Sequence, residues 1–152
     1  MKKKQWKPTM ISVDWKQWAT TYLTKQTTIP YQNEVGICLS KYGDPGYGTI
    51  VKEDKYSKKH YFRDELVGKS ASVLKDTIKE HNITAITCVP SLRSNIVANF
   101  AERLANSCGL KYVVLLQKRD ASQQKFMQNS SYQCANALKS FRVIENADIP
   151  EN

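Results

Sequence analysis

The chain is poor in the residues that most often announce a catalytic or metal centre. Its two histidines, His60 and His81, stand apart, and its four cysteines, at 38, 88, 108 and 134, are separated by 50, 20 and 26 residues. No CxxC pair and no neighbouring histidine accompanies them, which excludes the spacing of a structural zinc site. We read all four as reduced thiols, with Cys88 and Cys108 serving as small hydrophobes. Glycine is scarce too, and its one cluster, Gly43-Asp44-Pro45-Gly46-Tyr47-Gly48, is not followed by Gly-Lys-Ser/Thr. A nucleotide P-loop is therefore excluded, and the cluster reads as a turn between two short strands, one of them Thr49-Ile50-Val51. No apolar run is long enough to span a bilayer. The basic start, Met1-Lys2-Lys3-Lys4, lacks the apolar core of a signal peptide, so a cytoplasmic protein without a membrane partner is expected. No acid, base or nucleophile constellation stands out, and neither a catalytic residue nor a metal ligand is assigned.

Acidic residues are also in short supply. Fourteen of them face 23 basic residues, a formal net charge of +9. Such an excess favours polyanionic partners, nucleic acid first, through phosphate contacts and counterion release. Residues 1–80 hold 15 basic and 9 acidic side chains, and residues 81–152 hold 8 and 5, so the basic surface is concentrated in the first half. A lysine-rich surface that serves only solubility is the alternative. With 152 residues, 41% of them hydrophobic, the chain is long enough to bury a core.

What the chain does carry is one strong β-α-β pattern. Residues 83–89 form a short, β-branched run of the kind that makes a buried strand. Ile96, Val97, Phe100, Ala101, Leu104, Ala105 and Cys108 then recur at helical spacing, with Gly109 as the stop. Tyr112 to Leu116 reads as a second apolar strand, expected to run parallel to the first. Between strand and helix lies the polar loop Ser91-Leu92-Arg93-Ser94. In parallel sheets, ligands collect at the carboxyl ends of the strands, and a helix start offers N–H groups and a positive dipole end to an anion. The plainer alternative is that Ser94 only caps the helix and Arg93 is merely solvated.

Elsewhere the signals are weaker. In residues 1–33, Ile11, Trp15, Trp18 and Tyr22 fit one face of a short helix, and Thr27 to Pro30 looks like a linker. Asp64 to Glu80 is predicted helical, with Leu66, Val67, Ser70, Leu74 and Ile78 along one side. Gln117 to Asn136 is polar and amide-rich, a loop-and-helix excursion or a cap, and Phe141 to Ile144 reads as a last strand. The alternation of strands and helices predicts an α/β fold.

Two clusters of residues are familiar in combination. One comprises Gly36, Leu39, the Gly43–Gly48 stretch, Val51, Lys55-Tyr56 and Phe62-x-Asp64-Glu65-Leu66-Val67. The other runs through Val89 to Arg93, Phe100-Ala101-x-Arg103-Leu104-Ala105, Gly109-Leu110, Lys118, Gln124-Lys125-x-Met127-x-Asn129-Ser130, Gln133, Asn136 and Phe141. Over about residues 34–143 this series resembles the C-terminal phosphoribosyltransferase-like region of bacterial RecQ-type ATP-dependent DNA helicases. The resemblance implies a type I phosphoribosyltransferase-like α/β fold with a parallel sheet for residues 34–152. Residues 1–33 would then form a connector with an aromatic helix. Ser91, Leu92, Arg93 and Ser94 correspond to the pyrophosphate-binding loop. Lys118, Arg119 and Lys125 are expected to contact nucleic acid or another anion, and Gln124, Asn129, Gln133 and Asn136 are the polar residues of the family motif.

Two departures bear on activity. Competence-type DNA-uptake proteins, which share the fold, usually carry an arginine where this chain has Gln133. The chain also lacks the acidic pair that would hold the magnesium and ribose of a phosphoribosyl donor, and the strand expected beside residues 83–89, so the sheet is expected to be incomplete at its C-terminal end. Nothing in the sequence resembles a helicase motor. ATP and magnesium are implied for the parent helicase and no cofactor for this chain, with DNA and a helicase core, in cis or in trans, as partners. Three readings stand: an accessory module of a DNA helicase in repair or recombination, a phosphoribosyltransferase fragment, and an inert scaffold.

Overall fold

A computed structural model describes residues 9–12, 35–119 and 130–150. Strands β1 (Thr9–Ser12) and β2 (Val35–Cys38) pair antiparallel, with Ile11 opposite Gly36. Ile11 thus belongs to a strand and not to the expected aromatic helix, because a partner strand satisfies its backbone where a short helix would leave its ends open. Trp15, Trp18, Tyr22 and the Thr27–Pro30 linker lie outside the described residues. The β1–β2 ladder joins residues on either side of position 33.

The Gly43–Gly48 stretch leads into a helix, α1 (Tyr47–Lys55), so the strand expected at Thr49–Val51 is not formed. The turn decides this. Gly43 N–H donates to the Gly48 carbonyl at 3.0 Å, and the Thr49 hydroxyl donates to the Asp44 carbonyl at 3.0 Å, which winds the chain before the β-branched pair begins. Ile50 and Val51 then use their apolar surface on the helical core and not on a sheet. Gly48 is required by close approach, since a Cβ there would lie 2.0 Å from the Lys41 carbonyl oxygen.

Helix α2 (Asp64–Glu80) and helix α3 (Ile96–Cys108) coincide with the helices predicted from periodicity. Asp64 and Glu65 sit in the first turn of α2, where carboxylates complement the positive dipole end. Gly109 closes α3 in the left-handed conformation with φ 69°, the geometry its missing Cβ permits. The core lies where α1, α2 and α3 meet. Phe62, Leu66 and Ile96 form its buried centre, with Tyr47, Ile50, Val51 and Phe100 packed around it. Phe62 and Phe100 meet edge to face with ring centroids 5.5 Å apart.

Two ionic clasps hold this core. Asp54, at the end of α1, is buried, and it accepts hydrogen bonds from the Arg63 backbone N–H at 2.8 Å and from Arg63 Nη2 at 2.7 Å. Burial by itself raises the Asp54 pKa, but the Arg63 hydrogen bonds and charge outweigh it and hold the carboxyl below its ordinary value. Arg63 also pairs with Glu53 at 2.9 Å. On the other side Arg103 of α3 donates to the Phe62 carbonyl at 2.6 Å and pairs with Asp64, tying α3 to the start of α2.

Strands β3 (Ala85–Ile86) and β4 (Lys111–Tyr112) flank α3 and pair in parallel, as expected for a β-α-β unit. The ladder is shorter than the sequence pattern. Beyond Val113 N–H, which donates to the Ile86 carbonyl at 2.9 Å, the chain diverges, because Val89 turns to solvent and Pro90 has no N–H to offer. The run expected as one strand over 112–116 is therefore split. Its end joins β5 (Leu116–Lys118), which pairs antiparallel with β6 (Phe141–Val143). Between them helix α4 (Ser130–Ser140) occupies the second part of the amide-rich stretch. The described chain is thus a mixed α/β structure with three two-stranded sheets, one of them parallel. Among the described residues no helix is long and apolar enough to cross a membrane.

Candidate anion-binding site at the β3–α3 loop

The loop Ser91–Ser94 lies after the carboxyl end of β3 and directly before α3. Ser91, Leu92 and Arg93 are exposed and Ser94 is half-buried. Two serine hydroxyls shape the loop from within. Ser91 Oγ accepts from the Arg93 N–H and Ser94 Oγ from the Ile96 N–H, each at 3.2 Å. The residue in the cap position of α3 is Asn95, one place later than expected, and its side chain makes no capping bond. Ser94 reaches past it to satisfy the first helical N–H, which is how a serine one residue early does the work of a cap.

This leaves a defined set of donors. Among the described residues, the N–H groups of Leu92, Ser94, Val97 and Ala98 have no hydrogen-bond acceptor, and the Arg93 guanidinium has no ion-pair partner. These groups gather at the positive end of a helix of 13 residues. Such a set is suited to a phosphate oxygen. No side chain here is placed to act as an acid, base or nucleophile.

Lys118 and Arg119 follow at the end of β5. The Lys118 ammonium lies over the Phe141 ring, 5.2 Å from its centre, and the Arg119 N–H donates to the Ser140 carbonyl at 2.8 Å while its side chain is exposed. A cavity of about 580 Å³ joins this place to the base of the loop, since Val89 and Lys118 both line it. The remaining lining is Leu116, Ala137, Leu138, Phe141 and Val143. Asn136, in α4, accepts a hydrogen bond from the buried Ser140 hydroxyl at 3.3 Å, a contact within the last turn of the helix. Gln133 lies in the same helix. Gln124, Lys125 and Asn129 fall outside the described residues.

The cavity lining is largely apolar. A ribose polyphosphate with its metal needs polar partners along its whole length, and six of the seven lining side chains offer none. A phosphodiester touching only the loop and the Lys118 rim needs no such cavity. Among the described residues no three His, Cys, Asp or Glu side chains cluster.

Sequence reasoning missed the Asp54–Arg63 and Arg103–Asp64 clasps, whose partners are 9 and 39 residues apart. Cys88, read as a small hydrophobe, has its sulfur 3.4 Å from the Tyr112 hydroxyl across the parallel ladder, a contact the sequence did not signal. Burial, then the contact with Cys88, pushes the Tyr112 pKa up to about 12. Cys38, Cys88 and Cys108 are free thiols, and burial pushes Cys108 up, as expected for a cysteine used as a hydrophobe.

Comparison with protein-family models, with curated proteins and with solved structures finds no match to this chain.

Proposed function

We propose that this chain is a phosphoribosyltransferase-like accessory module of a RecQ-type DNA helicase, and that it contacts the phosphate backbone of DNA through the β3–α3 loop. The observation that carries the reading is the exposed Ser91–Arg93 segment, with unpaired N–H groups at the start of α3, on a chain of net charge +9. Contacts of this kind position a duplex without reading its sequence. Arg93 supplies the charge at the loop, and Lys118 and Arg119 extend it along the cavity rim, with Lys125 as a further contact expected from the sequence. ATP, magnesium and the motor belong to the parent helicase in this reading, and the module itself needs neither.

The test is fluorescence anisotropy with a labelled forked DNA at low salt. Arg93→Glu, and separately the triple reversal of Lys118, Arg119 and Lys125 to glutamate, are each expected to weaken binding tenfold or more. Every phosphate that a variant leaves unneutralised should also flatten the dependence of log K on log salt by about 0.9. Unchanged affinity and slope in both variants would sink the proposal.

A further inference from the structure

We propose that Tyr42, Lys55 and Tyr56 form a second nucleic-acid site, a stacking platform for unpaired bases, beside α1. The site goes beyond the loop reading and stands on other residues. Tyr42 lies in the turn before the helix and Tyr56 just after its last residue, with the nine residues of α1 between the two. Both rings are turned outward, Tyr42 49% and Tyr56 74% exposed. They are nevertheless held together. The Lys55 ammonium lies 5.5 Å from the Tyr42 ring centre and 5.9 Å from that of Tyr56. A hydrogen bond with Tyr56 and partial burial also hold the Tyr42 phenol above its ordinary pKa.

Two aromatic faces sharing one cation thus lie open to solvent. Neither ring belongs to the core, which uses Tyr47, Ile50 and Val51 of α1. The turn that presents Tyr42 is itself constrained. Gly48 brings the backbone of α1 against Lys41, and the Gly43 N–H bonds back to Gly48, which fixes where residue 42 projects from.

The surrounding charge selects the ligand. Residues 41–59 supply Lys41, Lys52, Lys55, Lys58 and Lys59, all exposed, against Asp44, Glu53 and Asp54. Two of those three carboxylates are already engaged by Arg63, which leaves Asp44 as the one acid of the segment not paired with it. Lys52 packs its stem against Gly43, beside Tyr42. Rings for bases and ammonium groups for phosphates, interleaved over residues 41–59 around one short helix, match a single strand, whose bases are free to stack. A duplex keeps its bases paired and offers only its phosphates. The Lys55–tyrosine contact is weak at an exposed site, so Lys55 can exchange it for a phosphate when a base takes the ring face.

The experiment uses the full chain with a labelled 15-nucleotide oligothymidylate, and the same length of duplex as comparison, read by fluorescence anisotropy. Tyr56→Ala and Tyr42→Ala are each expected to weaken single-strand binding about 5- to 100-fold, whereas Tyr56→Phe keeps the ring and keeps the affinity. Lys55→Gln should flatten the single-strand salt slope by about 0.7. Duplex binding should change little in the tyrosine variants. Arg93→Glu should leave single-strand stacking in place, so a failed loop and a failed platform give different patterns. Circular dichroism confirms that the exposed-residue variants are folded. Wild-type affinity for the oligonucleotide in both alanine variants would overturn the proposal. So would equal losses on single strand and duplex, or equal competition by polyglutamate, because either means that charge alone is read.

Discussion

Replacing Phe62 with alanine should strike the structure at the joint of its three central helices. The ring is 8% exposed and lies among Leu66 of α2, Ile96 of α3 and the α1 residues around it. Truncating a buried phenylalanine costs about 3–5 kcal/mol, from forfeited transfer energy and the cavity left behind. Of this, about 0.5–1.5 kcal/mol belongs to the edge-to-face contact with Phe100. For a chain of this size each kcal/mol moves Tm by roughly 2–4 °C, so a drop of about 6–20 °C is expected. Phe62→Leu keeps most of the volume and loses the ring pairing, and should cost about 1–1.5 kcal/mol. Urea unfolding followed by circular dichroism measures both, and an unchanged m-value shows that the unfolded state is not the cause. A double-mutant cycle with Phe100→Ala isolates the ring pair and should show coupling of about 0.5–1.5 kcal/mol. A Phe62→Ala cost below about 1 kcal/mol, or strict additivity with Phe100→Ala, would refute the packing argument. Ile96 opens α3 just after the loop, so on the proposed reading the variant should also weaken DNA binding.

Three further outcomes follow from single contacts. Gly48→Ala should cost about 1–3 kcal/mol or more, because its Cβ meets backbone and not a movable side chain; a melting temperature equal to wild type would contradict the close approach to Lys41. Asp54 has a lowered pKa, so the folded state binds its proton less readily than the unfolded chain does. Its contribution is complete above the ordinary value of 3.8 and is lost as pH falls through the lowered one. Asp54→Asn should therefore be less stable than wild type at neutral pH, with the gap closing only in strong acid; a gap that closes already near neutrality would show that another group titrates. Leu138→Ser, at the exposed apolar lining of the cavity, should leave stability within about 0.5 kcal/mol, as measured by urea unfolding, because the side chain is already largely in water.

Helices α2 and α3 were legible in the sequence because each carries its own period. Leu66, Val67 and Ser70 on one side, and Ile96, Ala101, Leu104 and Ala105 on the other, repeat at helical spacing and are the residues found buried. The ends were legible where a residue has one physical role, as at Gly109. Strands were legible only as runs, not as ladders. The lengths of β3 and β4 depend on where the two chains part, and that depends on Val89 and Pro90 together with the pull of β6 on β5. At Thr49–Val51 the β-branched pair favoured a strand, and the turn hydrogen bonds of Gly43 and Thr49 overruled it. The site was partly legible. Its loop follows from the strand–loop–helix pattern, but the hydroxyl-to-amide bonds that leave some N–H groups unpaired are geometric facts with no sequence signature. The tyrosine platform has a faint one, the alternation of lysine and tyrosine between positions 41 and 61.

The most direct test of the central claim is a residue-resolved one: amide chemical shifts of the isotopically labelled chain, titrated with a short forked DNA at low salt. The account predicts the largest changes at Leu92, Ser94, Val97 and Ala98, whose N–H groups await an acceptor, with smaller ones at Lys118 and Arg119. Changes that bypass the β3–α3 loop altogether, with binding intact, would contradict it.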